Sequence, residues 1–248
     1  MDASTAVRRT AIAYGVLAAI VAVVVTAVLA IVGLSLWLGL ILGVVVGAAL
    51  AALGFLRADS LALNAIAARP MAPGEMPKLE NLVEGLVIAN GFRMPSLYVV
   101  EDGAPNAAAV GRHPRHSALV VTTGLTESLR RIELEGVLAH ELIRIRHRET
   151  LVGVAAGLLA GHLPRSLGAA LGARMLEPSA SVLADLGGVE LTRYPPGLAG
   201  ALESMASDGR VVKANPRAYR HLWVNTPDDA MIEPEFSLGA RIAVLHEL

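Results

Sequence analysis

The sequence predicts an α+β protein: a pair of membrane-spanning helices at the N-terminus, then a mainly helical body with a small sheet. Three observations lead there. Residues 10–56 contain no Asp, Glu, Lys, Arg or His. Three short stretches rich in Val, Leu and Ala follow between residues 96 and 124, set off by Gly, Pro and Asn. Much of the remainder repeats apolar residues every three or four positions, the spacing of a helix with one buried side.

The uncharged run comes first. One bilayer crossing needs about 20 apolar residues, so the run suits two passes, at residues 11–31 and 36–56, rather than one long helix. Trp37, beside Gly33, Ser35 and Gly39, marks the reversal at the far interface, where an indole is at home. A signal peptide is excluded because its apolar segment runs only about 7–15 residues. Arg8 and Arg9 precede the hairpin, Arg57 and Arg69 follow it, and the turn is uncharged. The positive-inside rule then places both ends, and the bulk of the chain, in the cytoplasm. The absence of cysteine fits a reducing compartment, and a net charge of −1 argues against a nucleic-acid partner.

The expected organisation is an N-terminal segment with the hairpin (1–57), a linker (58–77) and a folded domain (78–248). The linker reading rests on the proline-dense "ARPMAPGEMP" at 68–77. "KLENLVEGLVIANG" then puts Leu79, Leu82, Val83, Leu86 and Val87 on one stripe and stops at Asn90-Gly91. "SLYVVE" (96–101), "NAAAVG" (106–111) and "SALVVTTG" (117–124) read as strands. A long helix capped by Thr126 is expected to run to about Glu149, burying Leu134, Val137, Leu138 and Leu142. "LVGVAAGLLAG" (151–161) is too short to span and reads as a core or interfacial helix. Helices at 179–193 and 197–207 follow, separated by Pro195-Pro196.

The chemistry sits in "VLAHELIRIRHRE" (137–149). In the pattern His-Glu-x-x-His, two histidines four apart share a helix face and bind zinc, while the Glu activates a zinc-bound water. His140 and Glu141 open that pattern, but Arg144 stands where the second histidine belongs. A guanidinium is charged at any working pH and has no lone pair to offer a metal.

The stretch from "APNAAAVGRHPRHSALVVTTGL" through "ELEGVLAHELIRIRHRE" resembles the HtpX-like family of membrane zinc metallopeptidases, related to the CAAX prenyl proteases. The resemblance implies a zincin-like (gluzincin) fold, Glu141 as general base and His140 as a zinc ligand. It also implies a third ligand, a Glu three residues before an Ala-Asp pair. Here that pair is Ala184-Asp185, and Ser181 stands in the Glu's place. Asp185 is then expected beside the site. Glu177, one turn earlier, is the nearest substitute ligand, although Pro178 puts it at the helix start. Asn106, Ala107, Ala108 and Ala109 are expected to form the sheet edge on which relatives hold extended polypeptide.

With two of three protein ligands replaced, the resemblance implies a membrane-anchored pseudopeptidase without zinc, whose role is to bind a protein partner or polypeptide client beside the bilayer. An active zinc metalloendopeptidase of membrane or misfolded proteins with unorthodox ligands is one alternative. A structural subunit of a membrane complex is the other. Arg144 has two readings: it bridges Glu141 and Asp185, replacing the lost cation between two helices, or it points to solvent from an arginine-rich helix.

Overall fold

The computed structural model describes residues 3–163, 165–226 and 236–248. The uncharged run folds as two helices, α1 (Ala3–Ile31) and α2 (Leu36–Ala65), both long and apolar enough to cross a membrane. Glycines let them touch through their backbones: a Cβ on Gly47 would fall 2.4 Å from the Ala18 carbonyl oxygen, and one on Gly43 2.5 Å from that of Ala22. This close approach of small residues is the usual solution where lipid offers no hydrophobic drive between helices.

The second helix does not stop near residue 56. It continues to Ala65, burying Ala58, Ala62 and Leu63, with Ile66 buried just beyond it. Arg57 and Asp59 are charged but do not break a helix, and an apolar stripe at helical spacing persists through them. The segment read as a linker is therefore partly α2. It also supplies the two-residue strand β1 (Arg69–Pro70), which pairs antiparallel with β2 (Ser96–Val100).

Helix α3 (Pro77–Asn90) buries the five residues its spacing selects and ends on Gly91 in the left-handed region, at φ 65°. With β3 (Ala107–His113) and β4 (His116–Thr122), the strands form a mixed sheet in the order β1-β2-β4-β3, in which β2 and β4 run parallel. One core, built on Leu119, Val121, Leu134 and Leu138, joins α3 and the helix at Arg131–Arg146 to the sheet. A second, built on Ala62, Ile66, Val110 and Val120, joins α2 and the helix at Glu149–His162 to it.

The long helix expected from Thr126 to Glu149 is three pieces. Thr122, not Thr126, caps α4 (Thr123–Ser128), its hydroxyl accepting from the Leu125 amide. Leu129 and Arg130 are extended, and the Glu133 carboxylate accepts from the Arg130 amide to start α5 (Arg131–Arg146) afresh. This side-chain acceptor satisfies an amide at the helix start that has no carbonyl partner within the helix. Arg148, at φ 58°, separates α5 from α6 (Glu149–His162). The apolar stretch in α6 is a core helix: Val152, Ala155, Ala156 and Leu159 pack with Ala6 and Ala13 of α1. Then come α7 (Arg165–Met175), α8 (Ala180–Thr192), α9 (Pro195–Asp208), a 3₁₀ turn at Arg217–Leu222, and α10 (Leu238–His246). The two prolines open α9 rather than precede it, a position where proline's missing amide costs nothing.

Candidate functional site

Helix α5 is buried along most of its length, and its last two turns carry His140, Glu141 and Arg144. Helix α8 lies against it at backbone distance. A Cβ on Gly188 would sit 2.9 Å from the His140 nitrogen, so only glycine permits the approach. Ser181, Asp185 and Gly188 follow at spacings of four and three on α8, which places them along one face.

That approach joins His140 to Asp185, with Nδ1 2.7 Å from Oδ1. Both side chains are almost fully buried. Arg241 of α10 forks onto the same carboxylate, Nε donating to Oδ2 at 2.7 Å and Nη2 to Oδ1 at 2.8 Å, while Nη1 donates to the Val224 carbonyl at 2.9 Å. Burial alone would raise the Asp185 pKa, but the Arg241 charge and hydrogen bonds, with His140 beside them, outweigh it and hold it at about 2. Asp185 is thus ionised at neutral pH. Nδ1 of His140 faces this ionised carboxylate and donates to it, the arrangement of a histidine oriented to ligate through Nε2.

Glu141 is fully buried, and its carboxylate accepts from Arg144 Nη1 at 3.0 and 3.2 Å. The same guanidinium donates to the carbonyls of Leu222 at 2.7 Å and His221 at 3.3 Å. Arg144 thus meets Glu141 but not Asp185, whose cation is Arg241; the bridge expected between α5 and α8 runs from α5 to the 3₁₀ turn instead. Glu149 approaches from α6, its Oε2 3.9 Å from Arg144 Nε. Burial pushes the Glu149 pKa up to about 7, against the pull of Arg144, and neither of its oxygens has a hydrogen-bond partner among the described residues.

Ser181 is half-buried, one turn before Asp185. Glu177, the substitute ligand considered from sequence, precedes α8 and is held by Arg9 of α1 at 2.9 Å. Among the described residues, no three His, Asp or Glu side chains gather as a metal ion would need. Asn106, Ala107, Ala108 and Ala109 do lie in and beside β3, the last strand of the sheet, but all four are buried. The chain itself covers them: Val224 N–H donates to the Ala107 carbonyl at 2.9 Å, and Trp223 pairs with Ala108. Asn106 and Asn225 exchange hydrogen bonds, Nδ2 to Asn225 O at 2.7 Å and Asn225 N to Oδ1 at 3.1 Å.

Sequence reasoning missed Arg241 and this covering segment. Arg241 carries a signal, being a lone charge within the apolar "LGARIAVL", which asks for a buried partner. The carbonyls that receive Arg144 carry none.

Comparison with known proteins settles the ancestry. Residues 73–189 match the model of peptidase family M48. A protease HtpX homolog of Tropheryma whipplei is 32% identical over 214 residues, covering 73% of this chain and 74% of that protein. The chain belongs to the HtpX-like M48 peptidases. The HtpX homolog of Thermoanaerobacter pseudethanolicus is 31% identical over 215 residues, covering 71% of this chain and 72% of that protein. That of Dictyoglomus turgidum is 36% identical over 193 residues, 64% of each. No solved structure matches the chain. This HtpX-like homologue thus combines a membrane hairpin with an M48 body in which α5 and α8 meet as described.

Proposed function

We propose that this HtpX-like homologue does not hydrolyse peptide bonds. It is a membrane-anchored pseudopeptidase whose body, on the cytoplasmic side, binds a protein partner or polypeptide client. The observation that carries the reading is Arg144, four residues after His140, with its guanidinium seated on Glu141. A catalytic zinc site takes three protein ligands and an open position for water. The residues present do not fit that ion. His140 is one ligand, the second position offers a cation, and the third offers the neutral Ser181. Glu141, the general base by resemblance, is also engaged, since both of its oxygens accept from Arg144. Residues 223–225 lie on β3 at Ala107 and Ala108, so extended polypeptide cannot join the sheet there as it stands, and the partner or client would bind another surface of the body.

The active-enzyme alternative draws on one observation, the intact His140–Asp185–Arg241 chain, which orients Nε2 as a zinc ligand requires. Metal content and hydrolysis together decide between the two. Full-length protein purified without added zinc should hold far less than one zinc per chain and leave casein intact. The double variant Arg144→His/Ser181→Glu restores the family's donor set and should take up zinc. Near-stoichiometric zinc with casein cleavage by the parent would refute the pseudopeptidase reading.

A further inference from the structure

A cluster of cations lies where the membrane hairpin meets the body. The turn between β3 and β4 reads Arg112-His113-Pro114-Arg115-His116. Its base is tied to α2 at the height where the uncharged run ends. Arg112 Nε donates to Asp59 Oδ2 at 2.8 Å and Nη1 to the Phe55 carbonyl at 3.4 Å, with the guanidinium 5.6 Å from the centre of the Phe55 ring. Phe55 in turn meets Tyr14 of α1 edge-on, ring centres 5.5 Å apart. Tyr14, Phe55 and Arg112 therefore share one level, and aromatic rings collect at the membrane–water interface. Towards the hairpin tip, α1 and α2 carry no charge from this level on; towards the body, Arg57 is the first charge on α2. The β3–β4 turn thus stands beside the span at the height of the lipid headgroups.

The protein leaves these charges largely unanswered. Asp59 is engaged by Arg112. Glu149 follows Arg148 in sequence but is turned inward and buried. Arg148 reaches the turn from the α5–α6 junction, its Nη2 3.5 Å from His113 Nε2. Burial first, then Arg148, Arg115, His116 and Arg93, push the His113 pKa below its ordinary value, so near neutral pH the imidazole is uncharged and the arginines carry the field. Among the described residues, Arg93, Arg115 and Arg148 form no ion pair. Arg115 and His116 are exposed at the tip. Arg57 is at similar height, but two residues from both Phe55 and Asp59 it lies on the opposite face of α2 and stands apart from the cluster.

We propose that Arg112, His113, Arg115, His116 and Arg148 form a binding site for the phosphate of an anionic phospholipid. The chemistry recognised is a phosphate, with guanidinium donors that match its oxygens and an imidazole beside them. The source is lipid because the cluster is fastened to a membrane helix at headgroup level, where the negative surface potential of an anionic leaflet already favours it. A zwitterionic headgroup brings its own cation and gains less.

The test is native mass spectrometry of the full chain, delipidated in neutral detergent and titrated with phosphatidylglycerol or phosphatidylcholine, with inorganic phosphate as competitor. Phosphatidylglycerol should bind about 25-fold tighter than phosphatidylcholine, given a roughly five-fold effect from each of the two unpaired arginines, Arg115 and Arg148. Arg115→Ala/Arg148→Ala should weaken phosphatidylglycerol about 25-fold, roughly five-fold for each arginine, and leave phosphatidylcholine unchanged. Lys78→Ala/Arg131→Ala removes two charges at the starts of α3 and α5, about 20 Å along those helices from the cluster, and should keep the preference. Equal binding of the two lipids by the parent would overturn the proposal. So would a preference retained by the first variant or lost equally by the second, and so would displacement of lipid by millimolar phosphate, which would mark a soluble ligand. Should the first variant fail to fold, Arg115→Glu at the exposed tip must by itself abolish the preference, and its persistence would overturn the site.

Discussion

Arg144→Met asks whether the arginine in the second histidine's place holds the fold together. The side chain is about nine-tenths buried, and it is the cation that answers Glu141, which is itself fully buried. Removing one partner of such a pair leaves an uncompensated buried charge and costs about 3–5 kcal/mol. The Leu222 and His221 carbonyls lose their donor in the same step. For a body of this size each kcal/mol moves the melting temperature by about 2–4 °C, so a fall of about 6–20 °C is expected. The assay is thermal unfolding of the full chain in detergent, followed by circular dichroism. Replacing both charges, as Glu141→Gln/Arg144→Met, removes the unpaired anion and should recover most of the loss, leaving a coupling of about 2–3 kcal/mol between the sites. A single variant within about 0.5 kcal/mol of the parent, the range for surface substitutions, would refute the reasoning. So would a double variant whose cost is the sum of the singles.

Other outcomes follow from the same packing. Glu149 has a folded pKa of about 7 against an ordinary 4.5, so its contribution is fully present below pH 4.5 and lost as the pH rises through 7. The loss reaches about 3 kcal/mol by alkaline pH; Glu149→Gln should flatten the stability profile between pH 5 and about 8, and parallel profiles for variant and parent would contradict the assignment. Gly188→Ala drives a Cβ into the His140 backbone at 2.9 Å and should cost about 1–3 kcal/mol by overpacking, measured as a lowered melting temperature; an unchanged curve would mean α8 can move away freely. A reporter fused after Leu248 should be cytoplasmic, as the arginines flanking the hairpin require; an extracytoplasmic reporter would replace the two-pass arrangement.

Legibility followed periodicity. The hairpin is readable because charge vanishes for the length of two spans, and α3 because its five buried residues repeat at helical spacing. The three longer strands lie within a few residues of their apolar stretches. The break at Leu129-Arg130 was illegible because "LRRIE" contains no glycine or proline; it depends on Glu133 reaching back to an amide. The extension of α2 to Ala65 was hidden by the charges at 57 and 59, which end an uncharged run without ending a helix. At the site, His140, Glu141 and Asp185 were legible by resemblance, and Arg144 by its departure from it. What covers β3 was not, since a strand's pairing partner leaves no mark in its own residues. Asn106 and Asn225 are 119 residues apart, and only the fold brings them together.

On the pseudopeptidase reading, the charges around α5 are what keeps the site folded without a metal. Two buried carboxylates, Glu141 and Asp185, each face one guanidinium, from Arg144 and Arg241. These four charges cancel. A dication placed among them would leave the cluster with an excess of two positive charges, and the nearest would be a guanidinium that cannot release its proton. Glu149 is the acid left over. Among the described residues no hydrogen-bond donor meets it, and Arg144, 3.9 Å away, is already turned to Glu141; its raised pKa is what a leftover carboxyl in a balanced interior should show. The balance supports the pseudopeptidase reading on grounds independent of the missing ligands. On that reading Arg144 both stands in a ligand's position and supplies a charge that zinc would have brought, so reverting it alone to histidine should leave Glu141 buried without a cation unless zinc is recruited. Arg144→His with Ser181 unchanged should therefore melt below the parent in zinc-free buffer, and added zinc should restore it only when Ser181→Glu completes the donor set. Full restoration by zinc in the single variant would show that Ser181 is no obstacle and that two protein ligands suffice here.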